Sequence, residues 1–218
     1  MGGKGSSIYE KIEKAREHLE AEDTAREKIL ALTREATRLS RKAIFKIHEG
    51  DLDEAYRILD AADKVIEELL NFKGTHPRLY YSGSVSSAIA EYVEARVLYA
   101  YRRDEELPSY QELMVEPAQY LLGLADFTGE LRRLLIRSLS RGDYASAERA
   151  LKLMEEIFQA LATIDVPDAL ATGLRHKVDV LRALIEGSSR DLLYHITSSN
   201  LEKSIRSLLD KLVEKGGV

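Results

Sequence analysis

The chain has no cysteine, which removes disulfide frameworks, thiolate nucleophiles and cysteine-ligated zinc sites and is in keeping with a cytoplasmic protein. It has four prolines, each lying between long segments of helical periodicity. Hydrophobic runs are short. The longest uncharged stretch, Leu79 to Ala90, falls well below the roughly 20 residues that span a bilayer, so no membrane partner is expected. The opening "MGGKGSS" has neither the apolar core nor the cleavage pattern of a signal peptide, and residues 1–6 read as a flexible leader. His18, His48, His76, His176 and His195 show no zinc spacing, and neither a GxSxG elbow nor a Walker loop occurs. What the sequence has is charge of both signs: 32% of residues are charged and the net charge is -5. That balance argues against a bulk nucleic-acid coat, although a local basic patch still binds phosphate.

No segment alternates apolar and polar residues for long enough to predict a strand. The first helical segment runs from about Ser7 to Glu49, with a break expected near Asp23–Thr24. Ile29, Leu32, Ala36, Leu39, Ala43 and Ile47 recur at steps of three and four, one apolar stripe. Gly50 ends this helix and Asp51 caps the next, "DLDEAYRILDAADKVIEELLNF". After the connector "KGTHPRLYYSG" comes a third helix, "SVSSAIAEYVEARVLYAYRRDEE". "ELPSYQELMVEP" reads as a loop, with Pro117 suited to the first turn of the helix that follows. "RGD" at 141–143 is a helix stop and cap. Helices then follow at "YASAERALKLMEEIFQALATI", at about Ala169–Glu186, and in "SNLEKSIRSLLDKL", where Ser199 and Glu202 have capping-box spacing. No solenoid repeat is present. The pattern predicts an all-α fold, a single-domain bundle of six or seven helices over residues 7–218.

Two acidic pairs interrupt apolar helices. Glu91 and Glu94 share one face of a segment that is apolar in nearly every direction, hence buried. Buried like charges need a cation, a shared proton or water, and an arginine, Arg96 or another, is the plain answer. In "LLGLADFTGELRRLLIRSLSRGD" the apolar face is Tyr120, Leu121, Leu124, Phe127, Leu131, Leu134 and Leu135. Asp126, Glu130, Arg133 and Arg137 form a separate stripe. The bland reading is a wet stripe with a Glu130–Arg133 pair. Gly123 and Gly129 in the same helix instead suggest close packing by a neighbour. Converging carboxylates of this kind are hard oxygen ligands for Mg²⁺ or Mn²⁺, with Arg133 and Arg137 near substrate phosphate. Arg34, Arg38, Arg41 and Lys42 form a basic ribbon, either a solvated face or a phosphate track. "HPRLYY" joins His76 and Arg78 to Tyr80 and Tyr81, a mixture suited to single-stranded nucleic acid.

These segments carry a resemblance. "LLGLADFTGELRRLLIRSLSRGD" is similar to the signature helix of the translin family, especially its translin-associated factor X branch. "AIAEYVEA" at 88–95 resembles that branch's glutamate-bearing helix, and "REKILALTREATRLSRKAIFKIH" the family's long basic first helix. The resemblance covers about residues 25–185 and leaves 187–218 as a C-terminal helical extension. It implies a closed, octameric all-α shell around RNA or single-stranded DNA. It also implies an acidic metal site that cleaves single-stranded RNA. Carried onto this chain, the acids are Glu91, Glu94 and Asp126, with Glu130 as a further ligand or as a group supporting the ligands. The candidate nucleic-acid contacts, read from the residues themselves, are Arg34, Arg38, Arg41, Lys42, Arg78, Arg133 and Arg137. The link between the acidic helices, "RRDEELPSYQELMVEP", lacks the eukaryotic branch's long insertion, as in a compact archaeal relative acting alone as a homo-oligomer. The expected activity is a Mg²⁺-dependent endoribonuclease. A non-catalytic single-stranded RNA- or DNA-binding shell is the first alternative. An all-α nucleotide pyrophosphohydrolase is the second, since ExxE with a second acidic helix also suits a Mg²⁺–triphosphate.

Overall fold

A computed structural model describes residues 7–216, with side chains as far as Leu212; the leader expected at 1–6 lies outside them. Among the described residues the fold is all-α. The chain divides into two compact units, Met1–Gly123 and Leu124–Val218.

The first unit is built on α1 (Ile8–Glu49), α2 (Leu52–Leu70) and α5 (Gly83–Arg103). Along α1 the stripe Ile29, Ala36, Leu39, Ala43 and Ile47 is buried, and α1 packs on both α2 and α5. Fully burying an isoleucine or leucine side chain contributes about 1.5–3 kcal/mol, so Ile29, Leu39 and Ile47 make the stripe a main source of stability. Gly50 stops α1 in the left-handed region, φ 87°, and donates its N–H to the carbonyls of Lys46 and Ile47. One residue later the Asp51 carboxylate accepts from the Glu54 N–H and starts α2. A glycine stop and an acidic cap thus fold α1 back on α2. No break occurs at Asp23–Thr24. The Thr24 hydroxyl turns onto the Glu20 carbonyl and Asp23 pairs with Arg26, and neither residue type costs an α-helix enough to end it. The connector winds into two short turns, α3 (Phe72–Thr75) and α4 (Pro77–Tyr80).

The helix α6 (Pro117–Ser140) opens on its proline, whose missing N–H is no loss in a first turn. Its later part, from Leu124, belongs to the second unit, with α7 (Tyr144–Ala162), a 3₁₀ turn at Asp168–Leu170 and α8 (Leu174–Gly216). Gly142 at φ 72° and the Asp143 carboxylate, accepting from the Ser146 N–H, make the stop and cap read from "RGD". Arg132 ties α6 to α8 by donating to the Leu184 carbonyl and the Ser188 hydroxyl and pairing with Asp191. The two terminal helices expected from the sequence are one: α8 runs unbroken through Ser199 and Glu202. Serine is only mildly unfavourable inside a helix, and no proline or positive-φ residue interrupts the run.

Candidate functional site

Helix α5 is buried nearly all round, through Val85, Ile89, Tyr92, Val93, Val97 and Leu98 among others. Glu91 and Glu94 are among its half-buried residues and are the two acids of the helix. Arg41 of α1 forks Glu91, with Nη2 2.7 Å from Oε1 and Nε 3.0 Å from Oε2. The hydrogen bond and charge of Glu91, reinforced by the charge of Glu94, hold the Arg41 guanidinium above its ordinary pKa. Both carboxylates therefore act on one cation, drawn from the ribbon read as a phosphate track. Arg96 is not their partner. It pairs with Asp63 of α2, which also accepts from the Tyr92 hydroxyl at 2.7 Å. Burial, with the adjoining Asp63 charge, pushes the Tyr92 hydroxyl well above the ordinary phenol range.

The opening turns of α6 press directly on this part of α5. A Cβ added at Gly123 would stand 2.6 Å from the Ala90 carbonyl oxygen and 2.6 Å from the Val93 Cβ. Those residues immediately precede Glu91 and Glu94, so the glycine lets backbone meet backbone beside the acidic pair. Gly129 has no such role, because a Cβ there would meet nothing within 4 Å. Close packing explains the first glycine and leaves the second unexplained.

In the second unit Asp126 is half-buried and paired with Lys177 of α8. Glu130 lies 3.7 Å from Arg133, the pairing expected within the helix. Phe127, Leu131, Leu134 and Leu135 are buried as predicted, whereas Tyr120, Leu121 and Leu124 are half-buried. In the ribbon, Arg38 is bound to Glu35 at 2.6 and 2.8 Å. That bond holds the Glu35 carboxyl below the usual carboxylate range. Arg34, Lys42, Arg78, Arg133 and Arg137 are exposed. Tyr80 is 0% exposed, edge-on to Tyr81, so it belongs to the core and offers no face to a base. Tyr81 is exposed. Sequence reasoning missed Asp63 and Lys177. Lys177 is 51 residues from its partner, beyond any local spacing signal.

A cavity of about 430 Å³ opens elsewhere in the first unit, lined by Tyr56, Tyr99, Arg96 and several acids including Glu67 and Glu112, but not by Glu91 or Glu94. Its negative lining suits a phosphate poorly.

Among the described residues no group of three or more His, Asp or Glu is gathered to hold a metal ion. The donors nonetheless fit Mg²⁺ in kind. This ion is commonly bound through one or two carboxylates and completes its octahedron with waters and substrate phosphates. Glu91 and Glu94 offer two such carboxylates, and Arg41 is forked onto the first of them.

A family model described as the translin family matches residues 24–188. An uncharacterized protein of Methanocaldococcus jannaschii is 33% identical over 192 residues, 87% of this chain and 84% of that protein. A translin-associated protein X homolog of Schizosaccharomyces pombe is 24% identical over 178 residues, 75% of this chain and 77% of its own. Among solved structures, one described as a complex of AfC3PO with duplex RNA superposes with a TM-score of 0.77 at 34% identity. It covers 86% of this chain and 97% of that one. Apo-NeC3PO, at 22% identity and a TM-score of 0.76, shares the fold. No described helix is long and apolar enough to cross a membrane.

Proposed function

Since the chain belongs to the translin family, we propose that it is a Mg²⁺- or Mn²⁺-dependent endoribonuclease. It cleaves single-stranded RNA within a closed cytoplasmic homo-oligomer, an octamer, that also admits single-stranded DNA. The observation that carries this reading is the pair Glu91 and Glu94, half-buried on a largely buried stretch of helix, with Arg41 forked onto Glu91 and also feeling the charge of Glu94. In the first unit Glu91 and Glu94 are the proposed carboxylate ligands of the ion; in the second, Asp126 and Glu130 are the acids assigned to the same activity. Bound there, a divalent ion supplies a Lewis acid that acidifies water and offsets charge on the phosphodiester. The exposed Arg34, Lys42, Arg78, Arg133 and Arg137 bind RNA phosphates, each contact adding salt-dependent affinity. Arg38 and Arg41 join them when RNA oxygens compete with Glu35 and Glu91. The AfC3PO–duplex RNA complex supports RNA as the ligand.

A second reading, a binding shell without catalysis, draws on one observation: Glu91 and Asp126 already have protein cations, Arg41 and Lys177, as partners. Cleavage separates the two. End-labelled single-stranded and duplex RNA are incubated with wild type and Asp126→Asn, in Mg²⁺ and in EDTA. Metal-dependent cutting of the single strand that the variant loses by about a hundredfold or more supports the nuclease. Tight binding without cutting in either protein leaves the binding shell.

A further inference from the structure

The two longest helices each extend outside the family match at 24–188, and both extensions are bare. From Ile8 to Ala21 no residue of α1 is buried, and from Leu193 to Leu212 none of α8 is. A projecting helix of this length is marginal in water unless an apolar face packs on something. Yet α1 begins with a complete reciprocal capping box, the Ser7 side chain with the Glu10 N–H and the Glu10 side chain with the Ser7 N–H. The sequence thus specifies a helix start in a segment that has no core beneath it.

Each extension carries an apolar stripe at steps of four, three and four. On α1 it is Ile8, Ile12, Ala15 and Leu19; on α8 it is Leu201, Ile205, Leu208 and Leu212. This is heptad spacing, the two stripes are equal in length, and their large residues are exposed by 48–67%. The charges around them differ in sign. Residues 8–22 hold five acids against three bases, and residues 201–212 three bases against two acids.

We propose that these extensions form an interface between copies of this chain, the α1 extension of one copy pairing antiparallel with the α8 extension of another. Ile8 then lies opposite Leu212, Ile12 opposite Leu208, Ala15 opposite Ile205 and Leu19 opposite Leu201. The flanking positions select this pairing over self-pairing. Along one edge it sets Tyr9 against Leu209, both exposed apolar residues, and Arg16 against Glu202. Antiparallel self-pairing of α8 would instead set Leu209 against Glu202, and self-pairing of α1 would set Tyr9 against Arg16. The other edge sets Lys11 near Lys211, a like pair at the solvent boundary that costs little. Because the two surfaces differ, copies exchange both contacts about a twofold axis or pass them on around a ring. The interface is independent of the proposed nuclease activity.

The absence of native cysteine makes disulfide trapping a clean test. Full-length Ile12→Cys and Leu208→Cys, one of them isotopically heavy, are prepared separately, mixed and oxidised gently, and the linked species are weighed by mass spectrometry. Both positions are exposed, so folding is preserved. Mixed dimers should exceed same-variant dimers by about tenfold, since only close Cβ atoms close a disulfide. Ala15→Cys with Ile205→Cys should behave alike, and Glu17→Cys, off the stripe, should not link to Leu208→Cys. Same-variant dimers forming as readily, no linkage, or linkage only within one chain carrying both Ile12→Cys and Leu208→Cys would overturn the proposal.

Discussion

In the first unit the acidic pair Glu91 and Glu94 meets an arginine; in the second, Asp126 meets a lysine. Arg41 approaches as a planar fork with two hydrogen bonds on one carboxylate. Lys177 offers a point charge on a flexible stem. The fork engages both oxygens of Glu91, whereas the ammonium meets Asp126 through one oxygen. The glycines differ in the same sense. Gly123 lets α6 backbone touch α5 beside the first pair, and Gly129 looks onto open space near the second. The first acidic pair is therefore set by packing and the second by an adjustable contact. A metal site draws its precision from supporting groups of the first kind.

Substitutions can break this contrast. The largest expected effect is at Gly123→Ala, where the new Cβ falls on a backbone carbonyl that cannot step aside. A loss of about 1–3 kcal/mol in urea unfolding is expected from overpacking. Gly129→Ala should move the other way, raising stability by about 0.8–1 kcal/mol through helix propensity alone. If both variants lose stability, Gly129 has a packing role that its open surroundings do not show. Arg41→Gln removes the cation that competes for Glu91. Arg41 is mostly exposed, so its pairing is weak, and Mn²⁺ affinity by calorimetry should rise up to about fivefold. Arg41→Lys should give part of that rise because the fork is lost. Lys177→Arg should be the mildest change, leaving Mn²⁺ affinity and the unfolding midpoint close to wild type. An effect there larger than at Arg41 would reverse the ranking of the two sites.

The positions that sequence could place are those whose physics is local. The α1 stripe, the Gly50 stop and Asp51 cap, the turn at 141–143 and the buried character of α5 all follow from periodicity and terminal chemistry. Ser199 with Glu202 has the spacing of a cap, yet lies inside α8. The same residues serve a terminus or an interior, and only the surrounding chain decides. Gly123 and Gly129 are indistinguishable in sequence and differ entirely in what surrounds them. The pairing of Arg41 with Glu91 spans 50 residues. It was open to sequence reasoning only as the general demand that half-buried carboxylates find a cation.

The central claim is that the acids serve hydrolysis of a phosphodiester by water, and the chemistry of the cut ends tests it most directly. RNA cleaved by the wild-type protein in Mg²⁺ should carry 5′-phosphate and 3′-hydroxyl ends, because attack by water needs no 2′-hydroxyl. Fragments ending in 2′,3′-cyclic phosphate would place the attack within the RNA itself and contradict the account.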